Sequence, residues 1–237
     1  MSVRILSRLA SSTFSRYLST ALNMEVKIED TGFHKIQEVP ENPFTLFKKW
    51  NHEQLTEGLS SKTLCFSTAT KNGKVSARNV VLRRLDKDGF VIMTDNRSKK
   101  VAELEENPSV AMTFLWVYGN NDGTVLSRQV RAEGLINELP ITDWKDIYDQ
   151  EPLFCKIRAY VCHQGQKVVW DDLKEHHDKL FKEFSTGNHK LERPDHVRAY
   201  KMEPTMMEFY ETLGQRIADR VLYLKENNVW EVSRIAA

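Results

Sequence analysis

Two dipeptides, Asn72-Gly73 and Asp88-Gly89, constrain the fold of this chain more than any other feature. Tight hairpin turns need positive φ near their centre, which Asn, Asp and Gly adopt at low cost. These dipeptides divide TLCFSTATKNGKVSARNVVLRRLDKDGFVIMTD into three runs rich in β-branched and aromatic residues. Runs of that length between turn signals read as strands. A meander of three antiparallel strands is therefore expected.

The flanking segments add to that meander. ENPFTLFKKWNHEQLTEG reads as a helix, with Asn42 as cap, Pro43 at the first helical position, and Phe47 and Trp50 on one face. A shorter helix is expected from Ser98 to Asn107-Pro108. SVAMTFLWVY and RQVRAEGLINEL read as two more strands joined by the polar loop GNNDGTVLS, with Phe114 and Trp116 on the core or interface side. Residues 140–184 look largely helical. MMEFYETLGQRIADRVLYLKENNVWEVSRIA offers two or three further strands, with Glu226-Asn227-Asn228 as a turn. Six or more short antiparallel strands with peripheral helices predict a mainly β protein with α additions, built on a closed barrel.

With 237 residues and 41% apolar content, the chain suits one domain with a substantial core, expected over 25–237. A net charge of +1 gives no global attraction to nucleic acid or to an anionic membrane, despite Trp116 and Tyr118 near basic residues. No apolar run approaches the roughly 20 residues of a membrane span. Cys65, Cys155 and Cys162 lack paired metal-ligand spacing, and His176 and His177 point apart on a helix. No metal site is therefore expected. Asp171, Asp172 and Glu175 read as a solvated helix face rather than paired acids.

Residues 1–24 stand apart. They carry Arg4, Arg8 and Arg16 with many Ser and Thr and no acidic residue, and Val3, Leu6, Leu9 and Ala10 can share a helical face. That is the make-up of a mitochondrial transit peptide, the plain alternative being a disordered tail. Translation from Met24 would give a cytoplasmic form.

The stretch TDNRSKKVAELEENP places Arg97, Lys99 and Lys100 at a helix start, where the exposed amides already favour anions and disfavour cations. Arg78, Arg83 and Arg84 lie on the preceding strand, which a hairpin brings close. Ser98, free helix amides and converging basic groups suit a phosphate; a solvated charged face is the alternative.

The blocks ENPFTLFKKW, SARNVVLRR, MTDNRSKKVAELEENP, RQVRAEG and GQRIADRVLYLKENNVWEVSRIA, in this order, resemble the pyridoxamine/pyridoxine 5′-phosphate oxidase family. The resemblance covers most of the chain from about residue 32 onward. It implies an FMN-binding split β-barrel of Greek-key type, acting as a homodimer with FMN at the interface. Carried over position by position, it implies FMN contacts from Arg78, Asn79, Val80, Val81, Leu82 and Arg83. Further FMN contacts are implied for Met93, Thr94, Ser98, Lys99 and Lys100, and for Gln129, Gln164, Tyr210 and Arg220.

For the substrate, the resemblance implies Arg83, Tyr148 and Cys155 around the phosphate, with Arg216 and Ala218 above the flavin. Arg216 is the expected catalytic residue. The family's pattern is altered here: Glu151 falls near an expected Arg, Cys155 replaces a Ser, Ala218 replaces a His, and Gly165 follows Gln164 where Ser is expected. The implied activity is FMN-dependent oxidation of pyridoxamine or pyridoxine 5′-phosphate to pyridoxal 5′-phosphate by dioxygen, with hydrogen peroxide released. The alterations leave two alternatives: a flavoprotein with a rebuilt pocket for another small substrate, or a non-catalytic FMN or pyridoxal-phosphate binder.

Overall fold

The first meander forms in order: β1 (Thr63–Ala69), β2 (Val75–Leu85) and β3 (Phe90–Asp95) pair antiparallel in sequence. The computed structural model describes residues 32–56, 62–119, 123–186 and 190–237; the expected transit segment and Met24 lie outside them. The turn chemistry differs in detail from the expectation. Of the residues in the two dipeptides, Gly73 alone takes positive φ, at 82°, and its amide bonds the Thr70 carbonyl at 3.0 Å. Gly89 has no such φ; a Cβ there would stand 2.5 Å from the Met202 carbonyl oxygen, so a close strand approach excludes a side chain. The two-residue turn with both centres left-handed is Asn227-Asn228, at φ 50° and 64°.

After β3 the chain forms α2 (Lys99–Glu106) and returns as β4 (Ser109–Gly119) on the free edge of β1. The resulting order β3-β2-β1-β4 is a Greek key. β5 (Val125–Glu138) pairs with β4, and β6 (Val197–Leu213) pairs with β5 along most of its length. Both strands of the β4–β5 hairpin run further than the polar connecting loop suggested, because Val125 to Ser127 join the ladder.

β6 gives the barrel its split. Its first residues, Val197 to Met202, also pair with β3 and close the ring β3-β2-β1-β4-β5-β6. Its later residues, Met206 to Glu211, pair instead with β7 (Asp219–Glu226), which carries β8 (Val229–Ile235) outward. The early half of β6 was not foreseen in the sequence, since Pro204 interrupts a strand signal. Pro204 lies opposite Gly134 where the β5–β6 register shifts, a place where a strand tolerates proline.

The interior is aromatic. Helix α1 (Pro43–Thr56) begins where the Asn42 side chain accepts the Phe44 amide at 2.9 Å, and it drives Phe47 and Trp50 inward. Phe47 packs against Phe90, Phe114 and Trp116 with ring centroids 4.8–5.7 Å apart. Beyond a 3-10 turn at Ile141–Asp143 come α3 (Lys145–Asp149), α4 (Leu153–Val161) and α5 (Trp170–Phe184). Trp144 and Tyr148 anchor this group through a second apolar cluster with Val91, Val197 and Ala199. Among the described residues, no helix is long and apolar enough to cross a membrane.

Candidate cofactor and substrate cleft

A cleft of about 380 Å³ opens between β2, β3, the start of α2 and helix α4. β2 contributes Asn79, Val80, Val81 and Arg83, and β3 contributes Met93 and Thr94. Lys100 enters from α2, while Tyr148, Cys155 and Gln164 come from the helical side. Of the residues expected around a cofactor phosphate or a substrate, these converge on one space.

At the α2 end the basic groups divide into two sets. Glu103, with a side chain only 3% exposed, takes Arg78 at 3.1 Å and Lys99 at 3.4 Å. Its carboxylate also accepts from Thr68 at 2.5 Å and Ser76 at 2.7 Å. Burial alone would raise its pKa; the hydrogen bonds from Thr68, Ser76, Arg78 and Lys99 outweigh that and hold it at about 2. Arg97 is bound to Asp95 at 2.7 Å. Lys100 forms no carboxylate pair among the described residues. Its Nζ donates to Gln164 Oε1 at 2.7 Å, Thr94 Oγ1 at 3.1 Å and Ser98 Oγ at 3.2 Å. Burial, with the charge of Arg78 second, lowers its pKa to about 8.

Ser98 occupies the N-cap position of α2, but its hydroxyl does not cap the helix; it faces Lys100 instead. The first amides of a helix have no intrahelical acceptor. One uncompensated ammonium, two hydroxyls and free helix amides therefore meet at the same end of the cleft, a donor set suited to a phosphate. Leu82, also expected in the cofactor set, turns into the core at 7% exposure and serves packing.

The opposite end is neutralised. Arg83 Nη1 pairs with Glu151 Oε1 at 2.9 Å, with side chains 19% and 6% exposed. Arg83 Nε and Glu151 Oε2 are both buried without a hydrogen-bond partner. The Cys155 thiol is pushed up first by burial and then by the neighbouring Glu151 carboxylate. Tyr148 lines the cleft, yet its hydroxyl donates to the Glu192 carbonyl at 3.1 Å, and burial pushes it up to about 12. Six lining residues were not anticipated as site residues from sequence: Asp95, Arg158, Ala159, Cys162, His196 and Val197. Arg158 lies one helical turn beyond Cys155, a spacing that could have drawn attention to it.

Gln129, Tyr210, Arg216, Ala218 and Arg220 are not part of this cleft. Gln129, Tyr210 and Arg220 stand side by side across β5, β6 and β7. Their strand neighbours Val130, Phe209 and Val221 are fully buried, so strand alternation sends these three outward. The Arg220 guanidinium lies 5.4 Å from the Tyr210 ring centre, and its Nε has no partner. Arg216 and Ala218 sit on the β6–β7 connection, where Thr212 Oγ1 donates to the Arg216 carbonyl at 2.9 Å. Arg128, beside Gln129, is a packing hub: it binds Glu53, Glu211 and Tyr118 and lies 4.7 Å from the Trp50 ring centre.

Residues 51–167 match the family described as pyridoxamine 5′-phosphate oxidase. The pyridoxine/pyridoxamine 5′-phosphate oxidase of Aliarcobacter butzleri is 33% identical over 90% of this chain and 98% of its own. The chain belongs to the pyridoxine/pyridoxamine 5′-phosphate oxidase family. The chloroplastic pyridoxine/pyridoxamine 5′-phosphate oxidase 1 of Arabidopsis thaliana is 31% identical over 84% of this chain, which spans 37% of that longer protein. Among solved structures, PhzG of Burkholderia lata 383, in complex with tetrahydrophenazine-1-carboxylic acid, superposes with a TM-score of 0.69 at 23% identity. That match covers 84% of this chain and 95% of PhzG. The split-barrel fold is thus common to both. The chain combines a buried Lys100 held by Gln164, Thr94 and Ser98 with an Arg83 already paired to Glu151.

Proposed function

We propose that the chain is an FMN-dependent oxidase of B6 vitamers, converting a pyridoxamine or pyridoxine form to the pyridoxal form. The Lys100 cradle carries this reading, because its donor set and charge fit the phosphate of FMN. The buried, unpartnered Arg220 Nε supplies a second donor suited to the cofactor. Bound FMN would supply the two-electron acceptor, with dioxygen taking the electrons in turn and leaving as hydrogen peroxide. Oxidation of the pyridoxamine form also consumes water and releases ammonia.

The protein's own part is placement. Lys100, Ser98, Thr94 and Gln164 would hold the phosphate, and Glu103 would hold Arg78 and Lys99 in register beside it. Asn79, Val80, Val81 and Met93 would line the ring. Arg216 would orient the substrate, and fixing two reactants in contact supplies much of such a rate. In this proposal the cleft of one protomer faces Gln129, Tyr210, Arg216 and Arg220 of a second copy. The outward face between them carries Leu115 at 60% and Val117 at 49% exposure, apolar side chains suited to a homodimer contact. Import into mitochondria through residues 1–24 completes the proposal.

Purified protein incubated with FMN and then with pyridoxamine 5′-phosphate and its unphosphorylated counterpart in air tests the reaction. The proposal expects a yellow protein, a pyridoxal product and peroxide in equal amounts. A yellow protein forming neither product contradicts it. The paired Arg83 and Glu151 favour one second reading, a family flavoprotein whose rebuilt pocket serves another small substrate.

A further inference from the structure

The end of the cleft away from Lys100 holds two buried groups with unmet hydrogen bonds. Arg83 and Glu151 hold each other through Nη1 and Oε1 at 2.9 Å, and both line the cleft. That leaves the donor Arg83 Nε–H and the acceptor Glu151 Oε2 without partners. Glu151 is 9% exposed, so bulk water does not serve it freely. The Cys155 thiol hydrogen-bonds to this carboxylate, which raises the thiol's pKa, but it is a weak donor and leaves Oε2 unmatched. Buried polar groups are normally satisfied, so an unmet donor and acceptor in a cleft wall describe what a ligand can supply.

We infer that this end of the cleft receives an uncharged group that both donates and accepts, such as a hydroxymethyl, and selects against a phosphate dianion. A hydroxyl carries both the acceptor that Arg83 Nε–H lacks and the donor that Glu151 Oε2 lacks, and it leaves the ion pair intact. A phosphate has no proton to give Oε2 when doubly ionised and would stand against a buried carboxylate. Among the described residues lining this end, its charge would meet Arg83, already neutralised, and Arg158, which has no carboxylate partner among them. Arg158 is exposed, so its attraction is screened by water, whereas the repulsion from buried Glu151 is not. The substrate class is therefore a small ring compound with an uncharged hydroxyl arm. This rests on the FMN reading only in assigning the cofactor to the Lys100 end.

The test compares pyridoxine with pyridoxine 5′-phosphate. Binding of each to the full-length protein is measured by equilibrium dialysis, using the fluorescence of the 3-hydroxypyridine ring. FMN loading is read separately from visible absorbance, so a failure to bind flavin is distinguished from a failure of ligand preference. Pyridoxine is expected to bind about tenfold or more tighter than its phosphate, in the range of a charged hydrogen-bond difference. Glu151→Gln keeps the shape and removes the negative charge, and it is expected to cut the preference about tenfold by strengthening the phosphorylated ligand. Tighter or equal binding of the phosphate by the unaltered protein overturns the inference, as does binding of neither ligand. A preference unchanged in folded Glu151→Gln also overturns it. The comparison in the unaltered protein decides the preference even where that variant does not fold.

Discussion

Lys100 and Glu103 sit one turn apart on α2 and do opposite work. Of the charges that make TDNRSKK look misplaced at a helix start, Glu103 takes Lys99 together with Arg78 from β2, Asp95 takes Arg97, and Lys100 is left to face the cleft. Lys100 carries its proton below its pKa of about 8, so FMN affinity should hold at neutral pH and fall as pH rises through that value. The fall, measured by flavin fluorescence titration, should vanish in Lys100→Met. Glu103 has a folded pKa of about 2 against an ordinary 4.5, so its stabilisation is fully present above 4.5 and is lost as pH drops toward 2. Glu103→Ala should cost about 2 kcal/mol in urea unfolding at neutral pH, since it leaves half-buried Arg78 without its carboxylate and Thr68 and Ser76 without their acceptor. The deficit should shrink in acid. The sequence displayed the basic cluster but not this division, because a mid-helix Glu gives no sign of facing inward. It likewise marked Glu151 as an oddity of sign without revealing that Arg83 is its partner.

The elements were most legible where side-chain period and turn residues agreed. The meander, the Asn42-capped α1 and the Asn227-Asn228 hairpin follow from local chemistry alone. The first half of β6 did not, because its partners β3 and β5 are far away in sequence and Pro204 contradicts a strand locally. Gly134 shows the tertiary reason. A Cβ there would fall 2.1 Å from the Glu203 carbonyl oxygen and 2.7 Å from Pro204 Cα, both backbone atoms that cannot swing aside. Gly134→Ala should therefore destabilise by about 2 kcal/mol or more, by overpacking at the β5–β6 bulge. A thermal melt checks this; an unchanged melting temperature would mean that the bulge relaxes freely.

At the scale of the molecule, the residues expected around one flavin fall into two groups on the outside of one barrel. Asn79, Met93, Thr94 and Lys100 line the cleft, while Gln129, Tyr210 and Arg220 form a row across the β5–β6–β7 sheet. No local sequence signal separates the groups; the ring closure through β3 and β6 does so. If two copies complete each site, Lys100→Met and Arg220→Ala chains that each load flavin poorly should regain part of it when refolded together. Absorbance after gel filtration reads this, and no recovery would assign both groups to one chain. The central claim, that the Lys100 end of the cleft is built for the phosphate of FMN, is tested most directly by titrating the protein with FMN and with riboflavin, which lacks the phosphate. FMN should bind about a hundredfold tighter, from charge-assisted hydrogen bonds to that phosphate, and Lys100→Met should remove most of the difference. Equal affinity for the two flavins would contradict the account.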